Sequence, residues 1–523
     1  MMRIVFSTVG VLALAVAFGA QMLRWLRVLQ REHYEARSMS RFLGRWSSPQ
    51  VASAKSLERT KGRRPITLSH VLMLALVVSL FLRVVALIAA VTVLYGLWCP
   101  QGLSIKGRTS TLQWTRRLKT TAAVATMVAV VIAGLGAFSI QPWLGAVAMV
   151  WAVPVLLDVT TRLLAPYERR NALRFVEQAE RRLGRVQPRV VAITGSYGKT
   201  STKNHLNDLI GADGGVVASP RSFNNRAGLS RAINENLADG TRVFVAEMGT
   251  YGPGEIRDLS SWCVPEIAVI TAIGPVHLER MKTLEVIEQA KFEVTENAST
   301  VVVNIDDLRL ARWPERLLFE GKRVRTAGSK DDGASTRVIV EGGRWSIRVD
   351  GEDLGSIPAI LGVQPTNMAC ALAAALELGV PTSELVQRAK NVTPVANRLN
   401  IVTAPSGVVV IDDTFNANPT SADAALKIIS SLGLSGRRVV VTPGLIELGR
   451  DQYRENLDLG RKVAAQGAEL VVVGRTNVRS LQVGYQNSVR RFDVREQAVA
   501  WVRSSLVPGD GVLYLNDLPD HYP

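Results

Sequence analysis

The chain has 523 residues, too many for a single core, so two or three domains are expected. Its 62 Lys and Arg against 45 Asp and Glu leave a net charge of +17, which suits a nucleic acid, a membrane surface or an acidic substrate. Three widely spaced cysteines, Cys99, Cys263 and Cys370, follow no metal-ligand pattern and argue against a disulfide framework or a zinc site.

Residues 4–23, IVFSTVGVLALAVAFGAQML, carry no charge and are long enough to cross a membrane. They read as an anchor rather than a cleaved signal peptide, because no small-x-small cleavage site precedes the basic stretch behind them. That stretch, residues 24–66, holds eleven Lys or Arg and three acids, Glu32, Glu35 and Glu58. Positive charge directly behind an apolar span reads as a cytoplasmic, membrane-adjacent loop before it reads as a nucleic-acid arm, so no nucleic-acid partner is expected.

Residues 67–98 are apolar except for Arg83 and a few small polar groups. As one straight helix they would measure about 48 Å, against a hydrocarbon thickness of about 30 Å. They form either one tilted, over-long helix or a hairpin with Arg83 near its turn. Residues 120–140 and 143–164 are two further spans joined at Gln141-Pro142. The basic stretches at 24–66, at 100–119 and after Arg162 all favour the cytoplasmic side, and a hairpin keeps every one of them there. Residues 1–166 are therefore expected to form a membrane domain of about four spans in the inner or plasma membrane, with the rest of the chain in the cytoplasm. From Tyr167 to Arg189 the sequence turns charged and reads as an amphipathic helix leading onward.

The stretch that follows organises the remainder. Val190 to Ile193 reads as a buried strand, Thr194-Gly195-Ser196-Tyr197-Gly198-Lys199-Thr200 as a glycine loop, and Ser201 to Leu209 as a helix. This order holds a nucleoside triphosphate: loop and helix N–H groups face the phosphates, Lys199 reaches the β/γ oxygens and the Thr200 hydroxyl sits on Mg²⁺. Two residues separate Gly195 from Gly198, where the common pattern has four.

Beyond it, Arg242 to Ala246 reads as a strand ending at Glu247, a carboxylate placed to hold Mg²⁺ beside the phosphate loop. A strand over Ile267 to Thr271 leads to His277, also at a strand's C-terminal end, where open α/β sheets place ligands. Leu284 to Ala298 reads as a helix carrying Lys291, and Thr300 to Val303 as a strand before Asn304-Ile-Asp-Asp307. The alternation predicts an α/β fold with a mainly parallel, doubly wound sheet. Residues 325–360 suggest a small β insertion. Met368 to Leu378 reads as a helix capped by Gly379. A second, smaller α/β domain starts at Asn397-Arg398, with strands at Val408 to Ile411, Arg438 to Thr442, Leu470 to Val473 and Gly511 to Leu515.

The segments TGSYGKTSTK, SFNNRAGLS, VAEMGTYGPGEI, VITAIGPVHLE, QAKFEV, VVNIDD, NMACALAAALELG, NRLNIV and IDDTFNANPTS follow one another over about residues 190–475. In this order they resemble the Mur ligase family, the ATP-dependent amide ligases of cell-wall peptide assembly. The NANP and MGTYGPGEI segments are most similar to the type that adds D-alanyl-D-alanine. The resemblance implies a central ATP-binding domain over residues 185–395 and a C-terminal domain over 396–523 that closes on ATP. It implies that Gly195, Ser196, Gly198, Lys199, Thr200 and Ser201 hold ATP phosphates, and that Thr200, Glu247 and His277 hold Mg²⁺. Lys291 matches a lysine carbamylated to hold a second Mg²⁺, and Asn224 and Asn225 a pair near the phosphates and the acceptor. Asn367 matches an adenine contact, Arg398 a C-terminal-domain arginine on the phosphates, and Asp413 the carboxylate on the ribose.

The implied chemistry is amide formation through an acyl phosphate. The expected partners are a cell-wall precursor and an amino acid or dipeptide such as D-Ala-D-Ala, with the lipid membrane. One departure stands out: where soluble members carry an N-terminal domain for a uridine-nucleotide sugar, this chain has apolar spans. A ligase building a polyglutamate-type polymer at the membrane is the nearest alternative. An ATP-driven transport protein is a more distant one, lacking the transporter-type signature loop. A membrane scaffold with a dead ligase domain conflicts with the intact Lys199, Thr200, Glu247, His277 and Lys291.

Overall fold

The computed structural model describes residues 2–35, 37–47, 68–82, 84–100, 103–105, 112–137, 143–211, 215–220, 222–395, 399–414, 417–517 and 522. Arg83, the Gln141-Pro142 joint, Asn397 and Arg398 lie outside the described residues, as does most of the basic loop after residue 47.

The N-terminal third is helical: α1 (Met2–Arg31), α2 (Ser38–Ser47), α3 (Leu68–Phe81), α4 (Val85–Trp98), α5 (Arg116–Ala137) and α6 (Leu144–Val186). Residues 68–98 form two packed helices rather than one. Each has 14 residues and is about 21 Å long, shorter than a hydrocarbon layer. The apolar span at 143–164 and the charged segment after Tyr167 are one continuous helix of 43 residues. Its Pro154 and Pro166 do not end it; each removes one hydrogen-bond donor that the turns around it tolerate. Two apolar clusters hold the unit together, one around Trp25, Leu26, Leu29, Phe42, Leu118 and Leu157, the other around Ala17, Ile88, Val91 and Tyr95. The Asp158 carboxylate on α6 caps α2, accepting from Met39 N at 3.1 Å and Ser40 N at 2.9 Å.

A nine-stranded sheet follows, in the order β2-β3-β1-β4-β5-β6-β7-β8-β9. Its strands are β1 (Arg189–Thr194), β2 (Val216–Ala218), β3 (Val243–Glu247), β4 (Ile267–Ile270), β5 (Thr300–Asn304), β6 (Arg323–Gly328), β7 (Thr336–Glu341), β8 (Arg344–Val349) and β9 (Glu352–Pro358). From β2 to β7 the pairings are parallel, and β7, β8 and β9 are antiparallel. The expected β insertion is therefore the far edge of the main sheet, continuing it through β6 and β7. Helices α7 (Lys199–Ile210), α8 (Arg226–Asn236), α9 (Glu255–Trp262), α10 (Leu278–Met281), α11 (Leu284–Phe292), α12 (Pro314–Phe319), α13 (Pro365–Glu377) and α14 (Thr382–Ala389) complete this part. Separate cores cover the two faces: Ala192 and Ala246 face α6, α8 and α9, while Val191 and Ile193 face α7 and α13. Both neighbours of β1 are parallel strands, so its run is apolar on both faces, and Val191 and Ile193 are fully buried. Each such side chain contributes roughly 2 kcal/mol.

The last part has a six-stranded sheet in the order β10-β11-β15-β12-β13-β14. Its strands are β10 (Asn400–Thr403), β11 (Val409–Asp413), β12 (Arg438–Thr442), β13 (Glu469–Val473), β14 (Arg490–Phe492) and β15 (Gly511–Leu515), with helices α15 (Pro419–Ser431), α16 (Gln452–Ala465), α17 (Val478–Tyr485) and α18 (Arg495–Ser505). Only β10 runs antiparallel to its neighbour. This unit leans on the helical one: Tyr522 packs edge-on to Phe42 at 5.2 Å, and Ile446 lies against the Trp25 cluster.

Candidate active site

The site is built where β1, β3 and β4 end side by side. Gly195 (φ +150°) and Gly198 (φ +80°) let the loop after β1 bend back on the neighbouring segments. A Cβ on Gly195 would strike the Thr271 hydroxyl, and one on Gly198 the Asn367 amide oxygen. The loop is stitched to the exit of β4: Ser196 N donates to Ala272 O at 2.7 Å, and Gly274 N donates to Ser196 Oγ at 3.0 Å. Lys199 opens α7, and its ammonium donates to Gly195 O at 2.5 Å and Ser196 O at 3.3 Å.

Glu247, the last residue of β3, is the hub of a buried network. Its carboxylate accepts from Thr200 Oγ1 at 2.9 Å, Lys203 Nζ at 3.1 Å and Asn224 Nδ2 at 3.1 Å. Burial pushes its carboxyl upward, but the Lys203 and Lys199 charges and the Asn224 bond outweigh that and hold it below the usual value. Glu247 is thus an ionised carboxylate in a cavity wall.

Lys291 projects from α11 into the same cavity and is 1% exposed. Burial, with the Lys199 charge next, drives its ammonium well below the usual lysine range. Burial thus favours the neutral amine over the ammonium. His277 follows β4 in a left-handed conformation (φ 53°), and its Nδ1 is hydrogen-bonded to the Glu447 carboxylate of the C-terminal unit.

Two cavities meet at the loop. One of about 250 Å³ is lined by Ser196, Lys199, Thr200, Asn224, Glu247, Tyr251, His277, Lys291 and Glu447. The other, about 650 Å³, lies between the central and C-terminal units and is lined among others by Gly198, Ser201, Asp306, Asn367, Asp413 and Asn418. Asp306 shapes its wall, accepting from the backbone N–H of Ser329, Lys330 and Asp331 and from Thr366 Oγ1. Asp413 lies at the end of β11 and accepts from Leu399 N at 3.3 Å. Size and lining suit a nucleotide in the larger cavity with its terminal phosphates reaching the smaller.

The structure thus gathers Lys199, Thr200, Glu247, His277, Lys291 and Asn224 around one cavity and Gly198, Ser201, Asn367 and Asp413 around its neighbour. Asn225 needs correction: it does not line either cavity. Its side chain accepts from Gly228 N at 2.9 Å and caps α8, leaving Asn224 to face the site. Arg398 lies outside the described residues.

Sequence reading did not single out Lys203, Tyr251, Arg280 and Glu447. Lys203 was within reach, since it lies one helical turn after Lys199 on α7. Glu447 and Arg280 carry no local signal; only the fold brings them in.

As for a divalent cation, no cluster of three or more His, Cys, Asp or Glu residues is found among the described residues. One ionised carboxylate and one hydroxyl, Glu247 and Thr200, nevertheless suit Mg²⁺, which takes few protein ligands and relies on substrate phosphates.

Residues 193–375 match the family model for the Mur ligase middle domain, and residues 397–515 the model for the Mur ligase, glutamate ligase domain. The chain is 32% identical over 357 residues to the UDP-N-acetylmuramoyl-tripeptide–D-alanyl-D-alanine ligase of Mycobacterium tuberculosis (strain ATCC 25618 / H37Rv), covering 62% of this chain and 69% of that one. It is 30% identical over 269 residues to the enzyme of that name from Bacillus subtilis, covering 50% and 57%. Among solved structures, MurF ligase from Thermotoga maritima in complex with ADP superposes with a TM-score of 0.57 at 23% identity, covering 66% of this chain and 80% of that one. FolC of E. coli in complex with DHPP and ADP shares the fold at a TM-score of 0.51 and 19% identity, covering 65% and 89%.

Proposed function

The chain belongs to the Mur ligase family and is an ATP-dependent amide ligase. We propose that it is a membrane-anchored member that joins the terminal carboxylate of a peptidoglycan-type precursor peptide to an amine, with D-Ala-D-Ala as the amine. The observation that carries this reading is the convergence of Lys199, Thr200, Glu247, His277 and Lys291 on one cavity beside a nucleotide-sized one.

In this reading the peptide carboxylate attacks the γ-phosphorus of ATP, giving an acyl phosphate and ADP. The amine then attacks the acyl carbon, and the tetrahedral intermediate expels phosphate. Lys199 and the loop N–H groups hold the phosphates and offset the charge on the transferring group. Thr200, Glu247 and His277 would hold Mg²⁺, with a carbamylated Lys291 at a second ion; bound there, the ions would neutralise phosphate charge. A neutral, buried Lys291 amine is the form that adds to CO₂, releasing a proton and leaving a carbamate. That step turns a cationic side chain into an anionic ligand. Asn367 and Asp413 flank the larger cavity, where adenine and ribose would lie.

Membrane anchoring is supported by three helices long and apolar enough to cross a membrane, at Thr8–Arg31, Arg116–Gly136 and Leu144–Val186. Val9, Leu12, Val16, Met127, Val130 and Leu135 on these helices face outward. The flanking segments are basic, which suits an inner or plasma membrane with the ligase units in the cytoplasm. Residues 1–166 would then be the membrane domain, 185–395 the central domain and 396–523 the C-terminal domain, with α3 and α4 as a short hairpin.

The test is ADP release by the detergent-solubilised full chain with Mg²⁺ and ATP. Soluble and lipid-linked cell-wall precursors are supplied, each with and without D-Ala-D-Ala. Release that needs one specific pair is the expected result. Release that continues without any amine would overturn the reading in favour of an ATP-driven membrane machine.

A further inference from the structure

We propose that the turn between α1 and α2, residues 32–35, forms a wall of the carboxylate-donor site, and that His33 contacts the donor's peptide. The inference rests on the ligase reading and assigns a substrate-facing role to the helical unit.

The turn is tied to the catalytic pocket by charge. Arg280 lies on α10, three residues beyond His277, and its guanidinium bridges Glu32 at 3.1 Å and Glu35 at 2.8 Å. The Glu32 side chain is 8% exposed and that of Arg280 16%, so the pairing is shielded from solvent. Burial opposes the Arg280 charge, and Glu35 and Glu32 more than offset it. The Arg280 guanidinium also lies 4.5 Å over the Tyr251 ring.

Aromatic contacts lead from the pocket to the turn. Tyr251 lines the smaller cavity and meets the His277 ring edge-on at 4.5 Å. The His33 ring lies 5.6 Å from that of Tyr251, tilted by 33°. His33 is exposed while Glu32 beside it is buried, so the imidazole stands behind Tyr251, one aromatic ring away from the cavity that Tyr251 lines.

The backbone is held in an unusual shape to achieve this. His33 (φ 54°), Tyr34 (φ 61°) and Arg37 (φ 71°) are all left-handed, a conformation that non-glycine residues keep only where surroundings impose it. The Arg280 pairs impose it on one side. On the other, Tyr34 OH is 3.2 Å from Thr115 Oγ1, and Arg117 lies 4.2 Å over the Tyr34 ring. Glu32, Glu35 and Arg280 are positioning residues in this arrangement. The imidazole offers a donor and an acceptor, which suits the amides and carboxylates of a peptide arriving along the helical unit.

Binding and turnover are read separately, on the full chain in detergent. Protein loaded with Mg²⁺ and a non-hydrolysable ATP analogue is titrated with UDP-N-acetylmuramoyl-tripeptide and, separately, with a lipid-linked precursor carrying the same peptide. His33→Ala is expected to weaken the bound probe roughly tenfold, the loss of about one hydrogen bond, while nucleotide affinity stays unchanged. His33→Gln, which keeps a donor and an acceptor, recovers part of the loss. The E32Q/E35Q double variant, which stays folded by its melting profile, raises KM for the donor more than it lowers kcat. Donor affinity of His33→Ala equal to that of the unsubstituted protein overturns the proposal, as does a protein that binds neither probe. If donor binding depends on His33 but ADP release needs no amine, the ligase reading falls and the wall stands. If ADP release needs the pair but ignores His33, the wall falls and the ligase stands.

Discussion

The helical unit and the catalytic pocket both bury cations, and they treat them in opposite ways. On α1 the Arg24 guanidinium is used up on backbone carbonyls, reaching Leu103 O at 3.2 Å, Gly96 O at 2.6 Å and also Leu97 O. Gln21, one turn earlier, reaches the carbonyls of Tyr95, Gly96 and Cys99. Together they pin α1 to the end of α4 and the segment after it. In the pocket, Lys291 is as deeply buried, yet it faces a cavity and feels Glu255, Glu247 and Glu293 only as nearby charges. Lys203 stands between the two, buried at 1% but paired with Glu247. A buried cation with its donors occupied is a structural pin. A buried amine turned toward a cavity costs stability and so points to chemistry.

The largest effect is expected at Lys291: Lys291→Met should lower pair-dependent ADP release by about 10³ or more, as removal of transition-state charge stabilisation does. Its melting temperature should stay level or rise, because a buried, strongly desolvated amine is replaced by an apolar side chain of similar length. A variant that melts well below the parent would show that Lys291 is a pin after all.

Next is Lys203→Met, which leaves Glu247 with fewer partners. Breaking a buried pair costs about 3–5 kcal/mol, so both melting temperature and ADP release should fall. The pair's contribution also has a pH signature. The Glu247 value is depressed in the folded chain, so this stabilisation is full above the ordinary carboxylate range and is lost as pH falls through the lower folded value. Melting curves of parent and variant should therefore converge in acid.

Arg24→Leu should cost about 3 kcal/mol, through carbonyls left without donors, and should leave ADP release per folded molecule unchanged. Loss of activity without loss of stability would move Arg24 from pin to participant.

The smallest effect is expected at His205 on α7. It is buried, and neither ring nitrogen has a hydrogen-bond partner among the described residues. Burial lowers its value to about 4. The unfolded chain binds this proton more readily, so stability should rise with pH between about 4 and 6.5, by at most about 3 kcal/mol, and be flat above. His205→Leu should remove that slope, read as melting temperature against pH.

Much of the pocket was legible because its parts are short contiguous segments at strand ends. The glycine loop after β1, Glu247 closing β3 and His277 after β4 each declare themselves within a dozen residues. What escaped depends on distance along the chain. Glu447 meets His277 across 170 positions, and Glu32 meets Arg280 across 248. Asn224 and Asn225 are adjacent and chemically identical, so only the start of α8 at Arg226 decides which one faces the cavity. In the fold, alternation revealed strands at 325–360 but could not say that β7 would pair with β6 and extend the main sheet. The edge strands β10 and β14, of four and three residues, are too short to announce themselves.

The unbroken run of α6 has a mechanical consequence. Forty-three residues make a rod of about 65 Å, and some 30 Å of it is the apolar stretch. The remainder is clamped to α8: Arg182 donates to Leu237 O at 2.5 Å and Asn234 O at 2.9 Å, and Asn234 donates to Phe175 O at 3.0 Å. With the first half embedded as proposed, the second half would act as a ruler. It would set the height of the phosphate loop above the lipid surface and would select a lipid-anchored substrate by how far its reactive carboxylate stands from its anchor.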